Sequence, residues 1–237
     1  MSNKAENILI RPSGERGHAD HGWLKTYHTF SFGDYHDPRH MGFRSLRVIN
    51  EDYVEGAKGF GKHPHKDMEI LTYVLKGALE HKDSMGNTSV IEAGDIQKMS
   101  AGTGVFHSEF NHSSSEQVHL LQIWILPQDN GIPPSYEQFS LPNSQKEPLL
   151  LIGSAQGGHQ VVRFYQDVYL YRAVIKKEQE CIYKPKSGRG LWIQVVKGSF
   201  EMNGRLLDSG DGVSVQGESE IIFKARQDSE FLMFDLK

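Results

Sequence analysis

The sequence repeats itself. A shift of 121 positions (195 − 74) lays Val74-Leu-Lys-Gly-Ala-Leu-Glu80 over Val195-Val-Lys-Gly-Ser-Phe-Glu201, and with a slip of a few residues Glu92-Ala-Gly-Asp95 falls on Asp208-Ser-Gly-Asp211. Short apolar segments match by chance, but a shared Lys-Gly turn followed by a shared Gly-Asp turn points to duplication. A duplicated chain of 237 residues is expected to fold as two similar units, each able to bury a core. At the same shift His63-Pro-His65 lies over Lys184-Pro-Lys186. An ammonium group has three donors and no lone pair, so these lysines cannot replace imidazoles as ligands. Duplication was followed by chemistry in one copy only.

The local signals are those of strands. Ile70–Leu75, Val118–Leu126, Val168–Ile175 and Leu191–Val196 are rich in β-branched and aromatic residues. Turn signals at Met85-Gly-Asn87, Glu92-Ala-Gly-Asp95, Asn203-Gly204 and Ser209-Gly-Asp211 punctuate them, and 24 glycines suit many tight turns. No long segment shows apolar residues at helical period. The chain therefore reads as nearly all β. Five of its nine prolines fall between Pro127 and Pro148, which marks a connector. The expected division is an N-terminal domain over 1–130, a Pro-rich connector over 131–148 and a C-terminal domain over 149–237.

Composition excludes several classes. The net charge is −4 with no basic run, which disfavours a nucleic-acid groove. The opening Met1 to Arg16 is polar and lacks the apolar core of a signal peptide. The most apolar stretch, Val118 to Leu126, is too short for a bilayer and is interrupted by His119 and Gln122. One cysteine, Cys181, rules out an internal disulfide and fits a reducing compartment. A cytoplasmic protein without nucleic-acid or membrane contact, and a monomer, is the expectation.

Two short elements carry chemistry. Side chains at i and i+2 of a strand share a face, so His63 and His65 converge, and Pro64 between them places the pair at a strand start or an edge. Alone, His-x-His reads equally well as exposed or core histidines. His107-Ser-Glu109 repeats the spacing after the turn-rich Ser100-Ala-Gly-Thr-Gly104. Three imidazoles and a carboxylate brought together suit a first-row metal and leave positions open for substrate or oxygen. Ligand type favours Fe(II), with Ni, Mn, Cu or Co as alternatives. Zn fits less well because four ligands would close its tetrahedron.

Gly59-x3-His63-x-His65-x3-Glu69-x7-Gly77 resembles the first cupin motif, and Gly94-x5-Ser100 through His107-x3-Asn111 resembles the second. Ser100 stands where that motif usually has proline, and His107 lies two residues later than usual. These departures, Glu109, and the opening Gly22-Trp23, Tyr27–Phe32, Tyr35–Pro38, Met41–Phe43 and Leu46–Asn50 are similar to the pirin family. The resemblance spans nearly the whole chain. It implies a bicupin of two face-to-face jelly-roll β-barrels, with His63, His65, His107 and Glu109 as metal ligands and Glu69 supporting them from behind. The C-terminal barrel, without ligands, would be structural, or would bind an anion through Lys184 and Lys186.

Pirin-like proteins of this kind resemble quercetin 2,3-dioxygenases, which open the central ring of a flavonol with O2 and release CO. A bound metal would acidify the flavonol 3-hydroxyl, and Glu109 would take its proton. The alternative is a non-catalytic regulator that binds a transcription factor or metabolic enzyme as a protein partner; it predicts a pocket too narrow for three rings. Phe60, Met68 and Phe106 flank the ligands and either wall a flat pocket or pack as core. His18, His21, His28, His36 and His40 match no regular spacing and read as surface or hydrogen-bonding groups. His81, His112, His119 and His159 stand isolated, and Trp124 and Trp192 read as core.

Overall fold

The computed structural model describes residues 7–142 and 145–237. Residues 1–6 of the polar opening, and 143 and 144 within the expected connector, lie outside the described residues. Strands dominate, and the one helical element among the described residues is the short 3-10 turn Ser13–Glu15. Among the described residues no helix is long and apolar enough to cross a membrane. The described residues divide into two compact units: 17–142 with 156–166, and 7–16 with 145–155 and 167–237.

The first unit has two antiparallel sheets. The larger runs in the order Ser135–Ser140, Asp95–Ser100, Glu69–Lys76, Val118–Ile125, Leu46–Val54, Leu24–His28, Gly17–Asp20; the smaller runs Gly59–His65, Val105–Asn111, Ala78–Asp83, Thr88–Glu92. Alternation fixes what each strand buries. On Leu46–Val54 the inward face carries Leu46, Val48, Asn50, Asp52 and Val54, all buried. Leu24, Val54, Val74, Leu79, Ile91, Val118 and Leu120 close one end of this interior. Gly59–His65 forms the edge of the smaller sheet, where the missing N–H of Pro64 is tolerated.

The second unit repeats the plan. Gly212–Gln216, Gly190–Lys197, Ser229–Leu236 and Val168–Ile175 are neighbours in that order, as are Asp95–Ser100, Glu69–Lys76, Val118–Ile125 and Leu46–Val54 in the first unit. The shared Lys-Gly turn lies after corresponding strands, with Gly77 at φ +77° and Gly198 at φ +87°, a left-handed conformation natural to glycine. The strand answering Val105–Asn111 turns Ile221, Phe223 and Ala225 inward. Phe223 and Phe200 each pack against Phe231 with ring centroids 4.7 Å apart, so an aromatic core fills the interior that polar side chains share in the first unit. Lys184 lies beyond the strand Glu180–Tyr183 and meets Glu220 at 3.0 Å.

Two segments have partners that composition hid. Ile8–Arg11 pairs with Gly212–Gln216, in the sheet of the second unit rather than in the domain it precedes in sequence. Ser135–Ser140, inside the stretch read as connector, is a strand paired with Asp95–Ser100. Each covers a sheet edge that would otherwise expose unpaired N–H and C=O groups. Pro133 and Pro134 stand just before the second of these strands, where their missing donors break no ladder.

Candidate metal centre and its cavity

Register assembles the site. His107 lies opposite His63 on one neighbouring strand and opposite Asp83 on the other; Glu109 lies opposite Phe60 and His81. The pairing with Gly59–His65 shifts between His107 and Glu109, a bulge of the kind that re-aims side chains. Gly59 permits the close approach, since a Cβ there would run into the backbone carbonyl of Glu109. Val105, His107, Glu109 and Asn111 point inward while Phe106 and Phe110 point out.

Three imidazoles meet as the spacing implies. Ring centroids lie 4.8 Å apart for His63 and His65, 4.4 Å for His63 and His107, and 4.8 Å for His65 and His107. One ligand atom from each falls within 4.8 Å of the others. Glu109 belongs to a second group of that size, with His107 and His81. Its carboxylate accepts hydrogen bonds from Thr72 Oγ1 at 3.4 Å and Gln122 Nε2 at 2.8 Å.

The donor set fits a metal. Burial, reinforced by the neighbouring imidazoles, pushes His65 down to about 4 and His107 down to about 3, so both rings are neutral and ligand-ready at pH 7. His63 Nδ1 lies 2.7 Å from the carbonyl of Gly61. A carbonyl only accepts, so Nδ1 carries the proton and Nε2 keeps its lone pair. His107 is 2% exposed, and neither ring nitrogen has a hydrogen-bond partner among the described residues. Buried polar atoms left in that state are rare, and a cation would satisfy one of them.

His63, His65 and Glu109 open onto a cavity of about 640 Å³, within the range of small-molecule sites. Phe60, His63, His65 and Glu109 line it from the smaller sheet; Thr26, His28, Asn50, Asp52, Gln122 and Trp124 line it from the larger. Thr72, Gln122, Asn50 and His28 are successive cross-strand partners and form a polar row. His28 Nδ1 and Asn50 Oδ1 are 2.8 Å apart. Asp52 is 4% exposed; burial raises its carboxyl to about 7, against a hydrogen bond from Thr26 and with help from the Glu109 charge.

The cavity sorts the residues singled out in the sequence. Phe60 is a wall. Met68 is not: it packs with Ile70, Met99, Val105 and Trp124. Phe106 is 50% exposed on the outer face, as its place in the alternation requires. Glu69 is fully buried, but its carboxylate is engaged by Lys98 Nζ at 3.1 Å and by the amide of Tyr165 at 3.3 Å rather than by a histidine. Trp124, read as core, is a cavity wall with its ring 5.0 Å from that of His65; Trp192 is buried. His18, His21 and His28 also line the cavity. Their irregular spacing hid this because the segment reaches the cavity through strands and turns rather than along one strand. His81 was missed too, although His81-x-Asp83 shows the same two-residue spacing as the other pairs.

Comparisons with known proteins agree with this architecture. The pirin family profile matches residues 10–125, and that of the quercetinase C-terminal cupin domain matches residues 151–236. Quercetin 2,3-dioxygenase of Escherichia coli K12 is 51% identical over 229 residues, covering 97% of this chain and 98% of that protein. A putative quercetin 2,3-dioxygenase of Pasteurella multocida is 45% identical over 97% of this chain and 99% of its own length. The crystal structure of the bacterial pirin YhhW from E. coli in complex with nickel(II) superposes with a TM-score of 0.93 at 49% identity, covering 97% of this chain and 98% of that one. By sequence, by fold and by the make-up of both its halves, the chain belongs to the pirin family.

Proposed function

We propose that the chain is a metal-dependent dioxygenase that opens the central ring of flavonols such as quercetin with O2 and releases CO, with His63, His65, His107 and Glu109 as ligands of one divalent first-row metal. The observation that carries this reading is the meeting of the His63, His65 and His107 imidazoles beside an aromatic-lined cavity that His63, His65 and the buried Glu109 carboxylate also line. The E. coli relative's name, quercetin 2,3-dioxygenase, supplies the substrate class. About 640 Å³ accommodates a three-ring ligand, which the regulator reading did not expect. By ligand type Fe(II) suits the site, and Ni(II) is what the YhhW crystal structure contains. Cys181, the single cysteine, is buried, and burial raises its thiol to about 11, as suits an inert side chain in the cytoplasm.

When bound, the metal supplies Lewis acidity toward the substrate's 3-hydroxyl. Glu109 accepts the proton of that hydroxyl; the hydrogen bonds from Thr72 and Gln122 keep its carboxylate turned toward the cavity. Phe32, Tyr35, Phe60 and Trp124 offer faces and edges to flat rings and exclude water. Asn50, Asp52 and His28 offer hydrogen-bonding groups to the substrate's other hydroxyls.

The test is metal analysis coupled to an aerobic assay of CO release from quercetin. Metal-loaded protein is expected to consume O2 and release CO, and His63→Ala to lose both metal and turnover. Glu109→Gln is expected to keep much of its metal and lose turnover on the order of 10²- to 10⁴-fold. Loaded protein that releases no CO from any flavonol overturns the activity. Full metal content in His63→Ala overturns the ligand set.

A further inference from the structure

We propose that His81, held by Asp83, forms with His107 and Glu109 a second metal position, in which the ion of the cavity can rest as an alternative to the position beside His63 and His65. His81 lies opposite Glu109, and Asp83 opposite His107, on the adjoining strand. Ligand atoms of His81, His107 and Glu109 all lie within 4.8 Å of one another, and all three residues are buried.

Hydrogen bonding fixes the chemistry of His81. Asp83 accepts from the amides of Met85 at 2.9 Å and Asn87 at 3.0 Å, and from Asn87 Nδ2 at 2.9 Å. An ionised carboxylate only accepts, so His81 Nε2, 3.0 Å away, carries the ring proton. Nδ1 is therefore the nitrogen left to offer a lone pair. That atom is buried without a hydrogen-bond partner among the described residues.

A purely structural core histidine would be satisfied at both nitrogens. This one is satisfied at Nε2 alone. An imidazole anchored by a carboxylate through one nitrogen, with the other free, is the arrangement that metal-binding histidines use. The two sets share His107, so one ion occupies one position at a time. The inference rests on the proposed function for the presence of a metal, but not for the roles of His63 and His65.

Cobalt(II) titration of the metal-free protein, followed by equilibrium dialysis and visible absorption, tests it. Wild type is expected to bind one Co(II) per chain. The double variant His63→Ala/His65→Ala is expected still to bind one, more weakly and with a changed spectrum. Adding His81→Asn is expected to abolish that residual binding. Adding Asp83→Asn instead is expected to weaken it about 10- to 100-fold, and keeps the test open if the His81 variant does not fold, because the imidazole stays in place. The second position is overturned if the double variant binds no Co(II), or if its binding survives His81→Asn unchanged. Two ions per wild-type chain overturn the alternation. Equal affinity in wild type and the double variant would instead sink His63 and His65 as ligands, and loss of binding with His81→Asn would then still support the position argued here.

Discussion

Asp52 shows how a single side chain ties the cavity to stability. Its carboxyl faces inward beside Thr26, and burial raises it from 3.8 to about 7. Below about pH 4 the carboxyl is protonated whether the chain is folded or not. As pH rises from there toward 7 the unfolded chain releases this proton and the folded one keeps it, so stability is lost through that window. At about 1.4 kcal/mol per unit the loss is a few kcal/mol at most. Asp52→Asn removes it: in EDTA, urea unfolding is expected to show the variant gaining on wild type between pH 5 and pH 8. A stability difference that does not change between the two pH values would refute this account. Asn50, Asp52 and Gln122 were legible in the sequence only as polar interruptions of apolar strands. Alternation says that they share a face with Val48 or Trp124, but not that this face borders a cavity instead of a dry core. His81 was obscured for the same reason, since its partners lie on another strand.

At the scale of strands, the pair Glu69–Lys76 and Asp95–Ser100 shows where family resemblance misplaced a role. Glu69 sits at a position where support for the metal ligands was expected. Instead it pairs with Lys98, both side chains wholly enclosed, with the Tyr165 ring 5.4 Å from the ammonium. Removing one partner of such a pair leaves a buried charge, so Lys98→Met is expected to cost about 3–5 kcal/mol in chemical unfolding, and Glu69→Leu/Lys98→Met considerably less. If Lys98→Met were as stable as wild type, the pair would not be holding these strands. The long central strands were readable: Ile70–Leu75 lies within Glu69–Lys76, and Leu191–Val196 within Gly190–Lys197. Their signal is strong because both faces are largely buried. Edge strands are weaker signals. Ser135–Ser140 alternates little and follows two prolines, and Ile8–Arg11 needs a partner some two hundred residues away, which no local pattern reveals.

For the whole molecule, duplication predicts the fold and its failure predicts the function. Both units keep the same strand order around their long central strands. The first places histidines, acids and amides on its inner faces, while the second closes its interior with Phe200, Phe223 and Phe231. The three tryptophans report on this division. Trp124 lines the cavity edge-on to His65. Trp23 is not among the cavity-lining residues and packs against Phe60 with ring centroids 5.5 Å apart. Trp192 is buried in the second unit, over Gly212. Bound Ni(II) or Co(II) quenches indole fluorescence only at close range, so the quenching on metal addition is expected to come mainly from Trp124. Trp124→Phe should then abolish most of it, while Trp192→Phe, with the same loss of one fluorophore, should leave the absolute quenching nearly intact. Metal-induced quenching that persists in Trp124→Phe and disappears in Trp192→Phe would put the ion in the other unit, and the asymmetry between the two copies would have to be read the other way round.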